Sequence, residues 1–315
     1  MNTTPDTSRP DTSRPRPSRT RSATSRLRRE LRREVPSTVG VLADARDFAA
    51  MRDYPSFAFG HRDDYAGYLR HVDALLRSLA AQGIHTTVAL FDPDEYADYC
   101  ADHGLDPDSA PARTRFTAEL ACGPALPYTG QPVEELVPLL VDAAVRQATR
   151  EYAGALLTGV GECADCGEDI GRASFERASA LLLRLLEGAG PGRHHLVCSV
   201  PGEEEQLIAV LHAEAPADPG GPPRTDGRDH LDFVTVLAAG LALGGPGGLV
   251  LRSTTEGFQD RVHGWRLDRG RLLALSAAAV FDAYCTDADT GDPVAPEPGV
   301  EYCPGYEVDS PGPHD

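Results

Sequence analysis

His195-Leu-Val-Cys-Ser-Val200 and Gln206-Leu-Ile-Ala-Val-Leu211, joined across Pro201-Gly202, decide how the second half of this chain is read. Two apolar runs of strand length separated by a Pro-Gly break form an antiparallel hairpin. Upstream, Phe175, Ala178, Leu182, Leu185 and Leu186 recur at helical spacing until Gly188-Ala-Gly-Pro191 ends the stripe. Downstream, a Pro/Gly-rich loop over 215–228 leads to a helix over Leu231–Leu243. Strands follow near Leu249–Ser253, Val262–Leu267 and Arg271–Leu275, then a helix over Ala277–Tyr284.

The order helix, two strands, helix, three strands, helix over about 175–285 resembles the roadblock and longin-like domains. That resemblance implies a small sheet platform that binds GTPases or partner subunits. The first half follows another pattern. Thr38-Val-Gly-Val-Leu-Ala43 and His85-Thr-Thr-Val-Ala-Leu-Phe91 read as buried strands, and between them Tyr65, Leu69, Val72, Leu76 and Leu79 lie on one helical face. Asp63 or Asp64 caps that helix and Gly83 ends it, which makes a βαβ crossover with a parallel pair. Helices are expected over Asp94–His103 and Ala112–Ala121, a linker over 123–132, and a long helix from Val133 to about Leu157. The expected fold class is therefore mixed α/β (α+β): a βαβ-containing N-terminal part, a central helical hairpin, and a C-terminal antiparallel sheet with helices. The expected segments are 1–37 (a disordered Arg-rich tail), 38–130, 131–285, and 286–315, a disordered acidic tail with six Pro and eight acids.

Between the two central helices stands Cys163-Ala-Asp-Cys166-Gly-Glu-Asp-Ile-Gly-Arg172. Two thiolates on one tight turn suit a Zn²⁺ ion or a dithiol couple, and they also suit a plain helix end. The wording is similar to the first half of the DksA/TraR zinc finger, a resemblance that implies RNA-polymerase binding. The second Cys-x-x-Cys of that family is missing here. A Cys turn at the tip of a helical hairpin also resembles a zinc hook, in which two chains share one metal. Further ligands within the chain would be Cys198, His194 or His195. A helix of the expected length spans ~25 Å, so the two His lie far from the turn and the returning strand brings Cys198 nearer. The expected metal ligands are thus Cys163, Cys166 and Cys198.

Asp44 follows the first strand, and Asp92-Pro-Asp94 follows the second, where parallel α/β sheets bind ligands. Asp44, Asp92 and Asp94 together would hold Mg²⁺ in a hydrolase or phosphotransfer enzyme. The same acids also fit helix N-termini. No phosphate-cradling loop, dinucleotide fingerprint or nucleophile elbow occurs in the chain.

All 30 basic residues are Arg, and Ile occurs three times, a composition that resembles proteins of high-GC, actinobacterial-type genomes. The net charge of −18 is divided unevenly: residues 1–37 set ten Arg against Asp6, Asp11, Glu30 and Glu34, a balance of +6, which leaves −24 on the rest. Only the tail would attract a nucleic acid. Seven Cys, an odd number at irregular spacing, argue for reduced thiols and a cytoplasmic protein. Phe233 to Leu251 is uncharged, but Gly244-Gly-Pro-Gly-Gly248 divides it, so no membrane span is expected. The reading these features favour is a regulatory or protein-interaction protein with a protein partner or a second copy of itself. The alternatives are the Mg²⁺ enzyme and nucleic-acid binding through the tail.

Overall fold

The computed structural model describes residues 37–59, 64–202, 206–216, 221–287 and 290–308. Apart from Ser37, the expected Arg-rich tail lies outside them, as does the nucleic-acid reading attached to it. The described residues form ten strands and eight helices, a mixed α/β protein, in two compact units that divide at Asp142/Ala143. That division falls inside a long helix, whereas the segment boundary drawn from composition stood at 130/131.

In the first unit, β1 (Ser37–Val41) pairs in parallel with β2 (Thr86–Leu90), and β3 (Ala125–Pro127) adds an antiparallel edge to β2. The β1–β2 crossover contains α1 (Ala45–Met51) and α2 (Tyr65–Ala81). Asp64 caps α2 by accepting the Gly67 N–H at 2.6 Å. After β2 come α3 (Pro93–His103) and α4 (Ala110–Leu120), capped by Asp92 and Ser109. Leu76, Val88, Tyr96, Leu136 and Leu140 are buried in one core with an aromatic cluster around Phe48. The short β3 occupies the expected linker. Three residues ending in Pro carry too little periodicity to announce a strand, and only pairing with β2 reveals it.

The helix α5 (Val133–Gly159) contributes its residues from Ala143 onward to the second unit, and the Cys turn then leads to α6 (Ile170–Ala189). The hairpin is β4 (Gly192–Pro201) against β5 (Gln206–Ala215), with Leu196 opposite Leu211, Cys198 opposite Ala209 and Val200 opposite Leu207. A two-residue β6 (Arg224–Thr225) flanks β5, and α7 (Gly227–Leu243) follows. Next come β7 (Gly247–Thr254), β8 (Asp260–Asp268), β9 (Arg271–Ala274), α8 (Ala277–Tyr284) and β10 (Val300–Tyr302). The sheet runs β10-β8-β7-β4-β5-β6, with β9 beside β8.

The apolar run that begins at Phe233 belongs to α7, which is buried from Asp232 through Leu241 because it packs against α6, β4 and β5. Gly240 permits the close approach: a Cβ there would stand 2.4 Å from Leu267 and 2.7 Å from Val200. Among the described residues no helix is long and apolar enough to cross a membrane.

Of the expected disordered acidic tail, residues 290–308 are part of the fold, while 288–289 and 309–315 lie outside the described residues. β10 pairs in parallel with β8, the ring of Tyr306 meets Trp265 edge-on, and Val308 is buried in the core. Pro and acid content suggested disorder, but four apolar or aromatic anchors (Val300, Tyr302, Tyr306 and Val308) outweigh it by finding a sheet edge and a core to enter.

Candidate functional site

The Cys turn is a compact backbone device. Cys163 N–H donates to Glu168 O at 2.8 Å, and Gly167 N–H donates to Cys163 O at 2.8 Å. Gly167 has φ +72, a conformation that an L side chain resists. Ile170 N–H donates to Gly161 O, and Asp169 caps α6 by accepting the Arg172 N–H at 2.7 Å. The sequence folds this way because a Gly follows the second Cys and an N-cap acid follows two residues later.

This geometry aims backbone amides at one sulfur. The N–H groups of Cys166 and then Asp165 donate to Cys163 Sγ, the Cys166 side chain hydrogen-bonds to it as well, and together they lower the Cys163 thiol below its usual range. Burial and the Asp165 charge oppose the shift but are weaker. The thiolate is the nucleophile and the metal-binding form, so Cys163 is the prepared sulfur of the pair.

Cys163 and Cys166 both line a cavity of about 470 Å³. One wall is the α6 face Ile170, Ala173, Ser174 and Arg177; the other is the end of α7 at Leu241 with the β8–β9 turn Arg269-Gly270. Arg269 has φ +50, the one non-Gly residue with positive φ among the described residues, and its N–H donates to Gly244 O at 3.1 Å. Helical spacing puts the four α6 residues on one face, yet nothing local foretells what stands opposite. Arg177, Ser174 and Arg269 were therefore not foreseen from sequence.

Cys198 does not join the turn. It is buried in the core cluster, faces Ala209 and Leu249 on the neighbouring strands, and has its thiol pushed up to about 12 by burial. The returning strand does bring residue 198 back along the unit, but strand alternation turns its side chain into the apolar layer. Among the described residues no group of three or more His, Cys, Asp or Glu side chains is placed to hold a metal ion. Cys163 and Cys166 are thus two neighbouring sulfurs with no third such donor beside them among the described residues.

His194 and His195 are also occupied elsewhere. His194 is buried, with Nε2 2.9 Å from Gly190 O and Nδ1 3.0 Å from Ser253 Oγ. A carbonyl only accepts, so Nε2 carries the proton and Nδ1 accepts from the hydroxyl, which describes a neutral ring. Burial lowers its pKa from 6.5. The folded state then resists taking up a proton that the unfolded chain accepts, so this contribution is full above pH 6.5 and is lost as pH falls through the window below it. His195, stacked on His212 at 4.7 Å, shifts in the same direction, chiefly by burial. Urea midpoints measured on either side of pH 6.5 should fall toward acid, and His194→Gln should flatten that fall. An unchanged slope would place the effect on other groups.

The strand-end acids sit where expected but are engaged as caps. Asp44 Oδ1 accepts the N–H of Arg46 at 2.7 Å and of Asp47 at 2.9 Å; Asp92 Oδ1 accepts those of Asp94 at 2.7 Å and Glu95 at 3.1 Å. Asp94 lies in the first turn of α3. Asp44, Asp92 and Asp94 form no metal-holding group. The acid not foreseen here is Asp47, whose carboxyl is raised by burial and then by the charges of Asp44 and, more weakly, Asp92.

Fold and site together define a mixed α/β protein with a dithiol turn that opens on a small cavity. Residues 26–131 match the family described as Domain of unknown function (DUF8829), a match that ends before the Cys turn. No curated protein and no solved structure matches the chain.

Proposed function

We propose that this is a cytoplasmic regulatory or interaction protein whose working group is the Cys163–Cys166 turn, and that the turn is half of a Zn²⁺ site completed by thiolates of a second copy or of a partner protein. The observation that carries this reading is the pair of backbone N–H groups aimed at Cys163 Sγ, which stabilise the thiolate that a soft cation requires. Zn²⁺ prefers four donors, the turn supplies two and no third stands by among the described residues, so a second copy or a partner is taken to supply the rest. Coordination by Cys releases protons, which makes the binding weaken as pH falls.

Metal analysis of protein prepared without a His tag, combined with its oligomeric state, tests the reading. One Zn²⁺ per two chains is expected, lost with either Cys163→Ser or Cys166→Ser. Protein that takes up no Zn²⁺, alone or with a thiol-bearing partner, and keeps both thiols titratable would remove it.

A further inference from the structure

We propose that the Cys163–Cys166 turn is a site of reversible oxidation, at which an uncharged peroxide closes the two sulfurs into a disulfide and so withdraws them from any metal. The proposal rests on the reading that this turn is the working group, and it adds what regulates it. Geometry carries the argument. The two Cys stand three positions apart on a turn closed by Gly167 N–H, which donates to Cys163 O at 2.8 Å. Across a tight turn the first and last Cα atoms lie within about 7 Å, and a disulfide spans about 4.4–6.8 Å. The Cys166 side chain hydrogen-bonds to Cys163, so the sulfurs are neighbours before any bond forms between them.

Both ends of the loop are fixed. Glu162 and Asp169 form an antiparallel bridge, Cys163 N–H donates to Glu168 O at 2.8 Å, and Ile170 N–H donates to Gly161 O at 3.1 Å. Closing the disulfide therefore turns two side chains and leaves the backbone in place. An oxidant also reaches the pair: Cys163 is half-buried, Cys166 is exposed and both line the cavity, whereas Cys100, Cys198 and Cys285 are buried. The turn selects the kind of oxidant by its charge. Glu162, Asp165, Glu168 and Asp169 are all exposed beside the sulfurs, and Asp165 is the charge that acts on Cys163. A negative field holds off an anionic reagent and leaves an uncharged one unaffected.

The chemistry balances with hydrogen peroxide as the oxidant. Cys163, whose sulfur receives the N–H groups of Cys166 and Asp165, attacks one peroxide oxygen as its thiolate. The O–O bond breaks, an S–O bond forms, and the leaving hydroxide takes the thiol's proton to become water, which leaves Cys163 as a sulfenic acid. Cys166 then loses its proton and attacks the Cys163 sulfur: the S–S bond forms, the S–O bond breaks, and hydroxide leaves with that proton as a second water. The dithiol loses two electrons and two protons, and one peroxide becomes two waters. A thiolate is the metal-binding form of Cys, so the disulfide offers a metal neither sulfur until a thiol reductant reopens it.

The test uses the full chain, reduced, held metal-free by a chelator and treated with one equivalent of hydrogen peroxide. Exposed Cys122, in the first unit, serves as the internal reference. Peptide mapping should find the Cys163–Cys166 disulfide about tenfold more abundant than oxidised Cys122, because an accessible sulfur beside a resolving Cys is the favoured target. Cys166→Ser should stop at a Cys163 sulfenic acid that dimedone traps, and Cys163→Ser should leave Cys166 no more oxidised than Cys122. Dithiothreitol should restore both thiols of the native protein. Glutathione disulfide, which is anionic, should react slowly at low salt and faster as salt is added, while the peroxide rate stays level. Cys122 oxidised as readily as the pair, links between chains in place of the internal disulfide, or a peroxide rate that rises with salt would each overturn the proposal. Zn²⁺ uptake by protein whose pair resists peroxide would overturn only this proposal. A disulfide formed in protein that takes up no Zn²⁺, alone or with a thiol-bearing partner, would overturn only the metal reading.

Discussion

Replacing Tyr306 with Ala should lower the stability of the second unit by about 3 kcal/mol, the low end of the scale for core aromatics because the ring is only partly buried. The ring lies edge-on to Trp265 at 5.0 Å, and its hydroxyl donates to Leu185 O. The Tyr306 carbonyl accepts from Trp265 Nε1 at 2.9 Å, and Gly188 is bare where the ring passes, with no room for a Cβ. Removing the ring opens a cavity against the indole and frees the strap that continues to buried Val308. Tyr306→Phe keeps the packing and loses one hydrogen bond, so it should cost only about 1 kcal/mol. Trp265, the only Trp in the chain, provides the measurement. Urea unfolding followed by its fluorescence reports the second unit alone, and acrylamide should reach it in Tyr306→Ala but not in the native protein. An unchanged midpoint would show that the strap adds nothing to the fold.

Arg150→Ala should cost about 3 kcal/mol, measured in the same way. Arg150 Nη1 lies 2.6 Å from Asp232 Oδ1, and the Asp232 side chain is only 7% exposed. Its second oxygen has no protein hydrogen-bond partner, so removing the guanidinium leaves a carboxylate in the interior with its compensation gone. The neighbouring pair, Arg146 with Asp229 at 2.8 Å, is more open, with the Arg side chain 40% exposed. Arg146→Ala should therefore cost less than about 1 kcal/mol. Joint replacement of Arg150 and Asp232 by Met and Leu should restore most of the loss, since removing both charges avoids the unpaired one. Equal losses for Arg146→Ala and Arg150→Ala would deny that burial sets the difference.

Both predictions concern contacts that joined residues far apart in the chain, and the same divide runs through the candidate site. The turn itself was legible: the Cys pair, the following Gly and the Asp169 cap are neighbours, and each acts on backbone within a few residues. The strand-end acids were legible too, down to their rival reading as caps. The place of Cys198 was misjudged because a strand brings a residue to a region while its alternation decides the face, and the register with β5 and β7 turned that face inward. The cavity could not be read at all. Its second wall comes from the end of α7 and the β8–β9 turn, whose distance from α6 along the chain leaves no local pattern.

Capping acids, glycines at left-handed positions and the two hydrophobic periods were sufficient, without coordinates, to establish most of the elements, the parallel pair, the antiparallel hairpin and the sulfur turn, because these signals act between residues a few positions apart. The ordering of residues 290–308, the burial of Cys198, the Arg150–Asp232 pair and the cavity beside the Cys turn were decided only when those elements packed. Packing sums many weak contacts from distant segments, and no short stretch of sequence carries that sum.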